Sequence, residues 1–196
     1  NPVFKSAAYR RLWLNTAFNG VSASADHVLI GWLALEVTGT SSWVGRAFAL
    51  YYLPMLVLGV LAGSLADHFS RRRLIQALEL VAAAVIALFA TVFAYTTVSI
   101  GHVLLLTLAL GSLRAVHGPV RLAYAYDLSG ARQATPALAG INVASRVGWL
   151  IGAVLVGTLA ERFGISPALL AMALMHLVAA PCLAGMMAQA HANRQE

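Results

Sequence analysis

Gly63-Ser64-Leu65-Ala66-Asp67-His68-Phe69-Ser70-Arg71-Arg72-Arg73 is the stretch on which the reading of this chain turns. A long apolar segment precedes it, 42–66, and another follows, 74–97. Each can cross a bilayer, which takes roughly 20 apolar residues at about 1.5 Å of rise apiece. The stretch therefore reads as a tight basic turn between two transmembrane helices. Lys and Arg gather on the cytoplasmic side of short membrane loops, so three consecutive arginines place this turn there.

Composition supports the same class. The chain is 60% hydrophobic and 10% charged, with a mean hydropathy of +0.79, whereas a soluble domain carries about 25% charged residues. The net charge of +6 and pI of 10.1 could suggest nucleic acid. The basic residues, however, stand mainly at the ends of apolar runs, where they set topology, so no nucleic-acid partner is expected. One cysteine, Cys182, excludes an intrachain disulfide framework or a thiolate metal cluster, and no metal or cofactor is expected. The first apolar run is too long for a cleavable signal peptide and no small-residue cleavage site follows it.

Six spans emerge, at about 11–36, 42–67, 72–97, 101–127, 135–161 and 165–188, with ends uncertain by ~3 residues. They form one unit over 1–196, an all-α integral membrane bundle. With both termini cytoplasmic, Lys5, Arg10, Arg11, Arg71, Arg72, Arg73, Arg132 and Arg194 lie inside, against only Arg46 and Arg162 outside. Trp32 and Trp43 then fall at the outer interface and Trp13 at the inner one. The loops are too short for a soluble domain.

Gly63-Ser-Leu-Ala-Asp67-His-Phe69-Ser, closing span two, recurs as Gly157-Thr-Leu-Ala-Glu161-Arg-Phe163-Gly, closing span five. This relates spans one to three (about 11–97) to spans four to six (about 101–188), three spans apart and thus inverted. Nested three-plus-three inverted repeats belong to secondary transporters.

Polarity divides the spans. Asn15, Asn19, Ser22 and Asp26 share one face of span one, at helical spacing. Span four carries Thr107, Arg114, His117 and Arg121, and span five carries Asn142, Ser145 and Arg146. Spans three and six are plainer, with Glu79 and His176 as their main polar residues. Spans one, four, five and two therefore read as an inner set, and three and six as an outer, lipid-facing set.

The basic turn resembles the pattern between helices two and three of the major facilitator superfamily, G-x-L-a-D-R-x-G-R-R/K. Gly63, Leu65, Ala66, Asp67, Arg71 and Arg72 stand in matching places; His68 and Ser70 replace the usual Arg or Lys and Gly. Arg114-Ala-Val-His117-Gly118 resembles the fourth-helix R-x-x-x-G. Pro119-Val-Arg121-Leu-Ala123, Asp127-Leu128, and Ala137-Leu138 with Asn142 resemble the branch containing the enterobactin exporter. The resemblance covers nearly the whole chain but only six of the family's twelve helices. It implies a partner, a second six-helix bundle supplied by a C-terminal half or a second copy. Gly148-x-x-x-Gly152 lacks the G-P pair typical of the family's antiporters.

Candidate sites follow. Asp26 and Arg114 lie about 22 Å and about 20 Å from the cytoplasmic helix ends. An unpaired charge at that depth costs several kcal/mol, so each must pair or meet water. Asp26, Arg114, His117 and Asn19 form a candidate substrate or proton-coupling site; the plainer possibility is an ion pair locking helix one to helix four. Gly63, Asp67, Arg71, Arg72 and Asp127 form a candidate cytoplasmic latch, which the resemblance implies opens and closes with transport; their plainer role is topology and capping. Gly59, Gly148 and Gly152 permit close helix approach. Tyr51, Tyr52 and Trp149 could line a cavity or serve packing, and Pro54 is expected to kink span two. His68, His102, His176 and His191 read as isolated.

Three function classes result. The leading one is a secondary-active transporter of the bacterial inner membrane, exporting amphipathic small molecules such as drugs or siderophores and driven by an ion gradient, with protons a candidate, or by the substrate gradient. An antiporter is among the readings, though the missing G-P pair counts against it. A membrane enzyme would need motifs that are missing: there is no H-E-x-x-H, no G-x-S-x-G and no glycine-flanked aspartate pair. A non-transporting assembly or regulatory protein stays open as the alternative.

Overall fold

The computed structural model describes residues 2–184, less the side chains of 2, 60–62 and 64–67. Six α-helices and no strands occur among them: α1 (Ala7–Thr38), α2 (Ser41–His68), α3 (Arg71–Tyr95), α4 (Ile100–Ser129), α5 (Ala134–Phe163) and α6 (Ile165–Cys182). Short 3-10 turns precede α1 and link α4 to α5. Most helix ends fall near the expected spans; α1 begins earlier, where the Ser6 hydroxyl accepts from the Tyr9 N–H as a cap. It stops at Gly39, whose left-handed φ of 67° suits a residue without Cβ and turns its N–H onto the Leu35 carbonyl. The expected end of span six at 188, together with Arg194 and His191, lies outside the described residues.

By length and composition, four of these segments can cross a membrane: α3, α4, 131–163 containing α5, and α6. α1 is not among them. Its interior face carries Asn15, Asn19, Ser22, Ser24 and Asp26, all buried, so its polarity is spent inside the bundle. Pro54 lies within α2, which continues through it to His68.

The helices pack in a definite pattern. α1 lies chiefly along α5, α2 along α4, and α3 along α6. Glycines set the first two contacts. A Cβ on Gly148 would run into the Ala17 carbonyl oxygen, and one on Gly152 into the Val21 carbonyl oxygen. On the other side, a Cβ on Gly20 would stand 2.6 Å from the Ser145 carbonyl oxygen. Gly111 of α4 meets the Tyr51 carbonyl of α2 in the same way. At Gly59 a Cβ would meet nothing described within 4 Å, and the same holds for Gly63. The side of α2 that carries them is turned away from the other described helices.

Two apolar layers result, one toward each end of the bundle. At the end holding the basic turn, Tyr9, Leu12, Ile75, Val120, Ala137, Ile141 and Leu183 pack together. At the other, Leu29, Ile30, Leu33, Ile86, Phe89, Val103, Leu106 and Leu169 do so. There Arg46 stacks over Trp43 at 4.7 Å, an arrangement suited to a membrane–water boundary.

The glycine contacts yield a stability test. Gly148→Ala should destabilise the detergent-solubilised protein by about 1–3 kcal/mol, because the added methyl must push the α1 and α5 backbones apart. Gly59→Ala should be neutral or stabilising by up to about 1 kcal/mol from helix propensity. Thermal unfolding of the two variants beside the parent measures the difference.

Candidate functional site: a buried polar layer

Between the apolar layers, α1, α2, α3, α4 and α6 bring together a set of side chains that cannot face lipid. Glu79 of α3 is at its centre and fully buried. Its Oε1 accepts from Asn15 Nδ2 at 3.3 Å, Asn19 Nδ2 at 3.1 Å and His117 Nε2 at 3.0 Å. Its Oε2 takes His176 Nδ1 at 2.5 Å. A carboxylate only accepts, so with Glu79 ionised both imidazoles present an N–H to it. His176 Nε2 then accepts the Ser22 hydroxyl at 2.6 Å.

Asn19 extends this cluster to a second one. Its Nδ2 faces Glu79, while its Oδ1 accepts from Arg114 Nη1 at 2.8 Å and Arg121 Nη1 at 2.9 Å. Arg114 also donates from Nε to Asp26 Oδ2 at 2.8 Å, and its Nη2 lies 2.8 Å from the same oxygen. The Tyr51 hydroxyl donates to that oxygen at 3.2 Å. Asp26 Oδ1 is buried and has no hydrogen-bond partner among the described residues. The layer thus holds two carboxylates, Asp26 and Glu79, beside two guanidinium groups, Arg114 and Arg121.

The candidate coupling residues Asp26, Arg114 and Asn19 are therefore in direct contact, while His117 joins Glu79 instead of Asp26. Two features need correction. α3 and α6 were expected to be plain outer helices, yet both turn their one deep ionisable residue inward. His176 is not isolated, since both its ring nitrogens are engaged. The signal was present in the chain: a lone Glu and a lone His in otherwise apolar spans must each find a partner. Spacing within one helix cannot say which. His102 caps α4 by accepting the Ser99 N–H at 3.2 Å.

Beside this layer, His27 stands among aromatic rings. It lies 4.8 Å from Trp149, 5.0 Å from Tyr51 and 5.5 Å from Phe48, centroid to centroid. Its Nδ1–H donates to the Ala23 carbonyl at 2.9 Å, leaving Nε2 to accept the Tyr52 hydroxyl at 2.8 Å. Tyr51, Tyr52 and Trp149 thus meet around a histidine that the sequence pattern did not single out.

At the basic end, Arg71 Nη1 donates to Asp127 Oδ1 at 2.6 Å and to the Ala123 carbonyl at 3.2 Å. This ties the first residue of α3 to the last turn of α4. Arg72 is within electrostatic reach of Tyr124 and Gly63 is exposed; the side chain of Asp67 lies outside the described residues. Among the described residues no group of three or more His, Cys, Asp or Glu could hold a metal ion.

The sequence profile described as Major Facilitator Superfamily matches residues 12–194. The chain belongs to that superfamily. Membership makes it a multi-pass membrane transporter in general terms and gives the polar layer a transport context. No curated protein matches the chain.

Asn19 is the piece whose loss should be most costly. Asn19→Leu removes the acceptor of two arginines and one donor to Glu79, leaving buried charged groups short of partners. It should destabilise the protein by about 3–5 kcal/mol. Chemical denaturation in detergent, compared with Ser24→Ala at under about 1 kcal/mol, checks this.

Proposed function

We propose that this chain forms one six-helix wall of a secondary-active exporter resembling the enterobactin-exporter branch, moving amphipathic small molecules such as drugs or siderophores in exchange for protons. It sits in a bacterial inner membrane with both termini cytoplasmic, and works against a second six-helix bundle, a C-terminal half or a second copy. The observation that carries the reading is the Asp26–Arg114 pair between α1 and α4, with Asp26 Oδ1 buried and without a hydrogen-bond partner among the described residues. An intramembrane carboxylate with a spare acceptor can take a proton or a cationic cargo, and its arginine tunes either. The adjoining aromatic group around His27 suits the apolar portion of such a cargo.

Further support comes from the exposed face of α5. Asn142 and Arg146 are exposed there, and Arg146 is mid-helix, where a cation needs water or a partner. A water-filled cavity completed by a second bundle supplies both. The nested repeat belongs to the proposal as well. Exchanging helices one to three with four to six turns the α1–α5 contact into α4–α2 and returns α3–α6 to itself. Gly63, Asp67, Arg71, Arg72 and Asp127 serve as the cytoplasmic latch.

Inverted membrane vesicles carrying the natural full-length protein test this with a fluorescent lipophilic cation. Uptake should follow the imposed proton gradient and stop with a protonophore; no gradient-dependent uptake of any amphipathic probe would favour the non-transporting alternative. Asp26→Asn with Arg114→Gln separates coupling from charge balance. If Asp26 carries coupling, the double variant folds and loses uphill transport by at least about tenfold, worth about 1.4 kcal/mol. Parent-level uphill transport in that variant would remove Asp26 from the mechanism.

The latch makes its own prediction. Asp127→Asn should slow transport several-fold while the remaining arginines keep the topology and membrane yield unchanged. Transport at the parent rate in vesicles of matched protein content would leave the basic turn a topology signal only.

A further inference from the structure

The polar layer contains one basic nitrogen that no described residue uses. His117 is buried, and its Nε2–H is committed to Glu79, which leaves Nδ1 with a lone pair. That Nδ1 is buried and has no hydrogen-bond partner among the described residues. Buried polar atoms of this kind call for an explanation. His117 also lines a small, partly open cavity with Asn19, Arg114 and His176 on its polar side and Leu78 and Leu110 on its apolar side. The space is of water size and lies beside the His117 side chain.

We propose that His117 Nδ1 is a proton-binding position of this transporter, with Glu79 as the counter-charge of the imidazolium. A hydronium ion entering the cavity supplies the proton: one O–H bond breaks, one N–H bond forms at Nδ1, and a water molecule is left. His176 differs in that both of its ring nitrogens are engaged, Nδ1 with Glu79 and Nε2 with the Ser22 hydroxyl. Nor is the position a metal site, since no suitable group of ligands exists among the described residues.

The groups facing His117 define how the proton is held. From α3, Glu79 attracts it. Burial opposes it most strongly, and from its own helix Arg121 and Arg114 repel it as well, one turn away on either side. α1 contributes Asn15, Asn19 and Ser22 to the cluster, with Asp26 neutralising Arg114; α2 contributes Tyr51 through Asp26; α6 contributes His176, and Cys182 near Glu79. Among the described residues Arg121 has no carboxylate within ion-pair distance and is held only by Asn19 Oδ1. A proton on His117 places a third positive charge in this set, and Arg121 is the cation least tied down against it. Proton binding at His117 therefore favours a change at Asn19, which touches both arginines and Glu79 together.

This inference rests on the proton-coupled reading but is tested apart from transport. The purified full-length protein is labelled with nitrogen-15 histidine, placed in lipid nanodiscs, and followed by NMR between about pH 5 and about pH 8, the range in which histidine acts as a switch. One imidazole resonance, absent from His117→Gln, should take up a proton across this range. In Glu79→Gln that uptake should be lost, because the imidazolium would face two guanidinium groups with no counter-charge. In Glu79→Asp, which keeps the charge, the uptake should persist. A His117 resonance that never changes state in the parent overturns the proposal, as does one that titrates unaltered in Glu79→Gln. The parent measurement decides even if a variant does not fold. A silent His117 leaves the vesicle assay untouched, whereas a titrating His117 in a chain that moves no cargo overturns only the exporter reading.

Discussion

Buried charge inside a bundle of apolar helices must be compensated, and in this protein a single amide does much of that work. Asn19 turns its oxygen to Arg114 and Arg121 and its nitrogen to Glu79. Neither end could be reversed, since guanidinium groups only donate and a carboxylate only accepts. Removing one partner from such a set leaves the others unpaired at a cost of several kcal/mol. The orientation of α1 about its own axis follows from this need. Turning it by one residue would carry Asn15, Asn19 and Asp26 away from α3 and α4.

The apolar layers on either side make the polar one effective. They keep bulk water from the Glu79 cluster, so its hydrogen bonds act in a low-dielectric setting where an unmade bond is costly. The glycine contacts of α1 with α5 and of α2 with α4 close the bundle around it. Because backbones touch there, small changes in helix position become changes in which polar groups meet. α6 joins through its last turn and the residues just beyond it: Asn15 donates to the Ala179 carbonyl, Gln76 to Ala180 and Arg11 to Ala184. These carbonyls near a helix end need outside donors. Side chains of α1 and α3 thus hold the end of α6 beside the polar layer.

Three polar regions follow one another along the bundle, each with a distinct chemistry. The Arg71–Asp127 pair at the basic end is partly solvated and can separate at modest cost. The Asp26–Arg114 pair and the Glu79 cluster are buried and share Asn19. The aromatic group around His27 adjoins Asp26 through Tyr51, which contacts both. A change at one region therefore has a short physical route to the next, by way of α1 and α4.

The sequence by itself determined the class, the approximate helices and the basic turn. Those depend on local properties: apolar length, the placement of arginines and residue spacing on one helix face. It also brought Asp26 and Arg114 to a common depth, since rise per residue is fixed. Which helices touch was decided only in three dimensions. The four-residue spacing of Gly148 and Gly152 equals that of Gly59 and Gly63, yet only the first pair meets a neighbouring backbone. Glu79 and His176 looked like solitary residues in plain helices because their partners are 38 to 154 positions away along the chain. His117 was legible as a polar residue near Arg114, but its bond to Glu79 was not, because α3 enters the polar layer through tertiary packing and no local pattern records that.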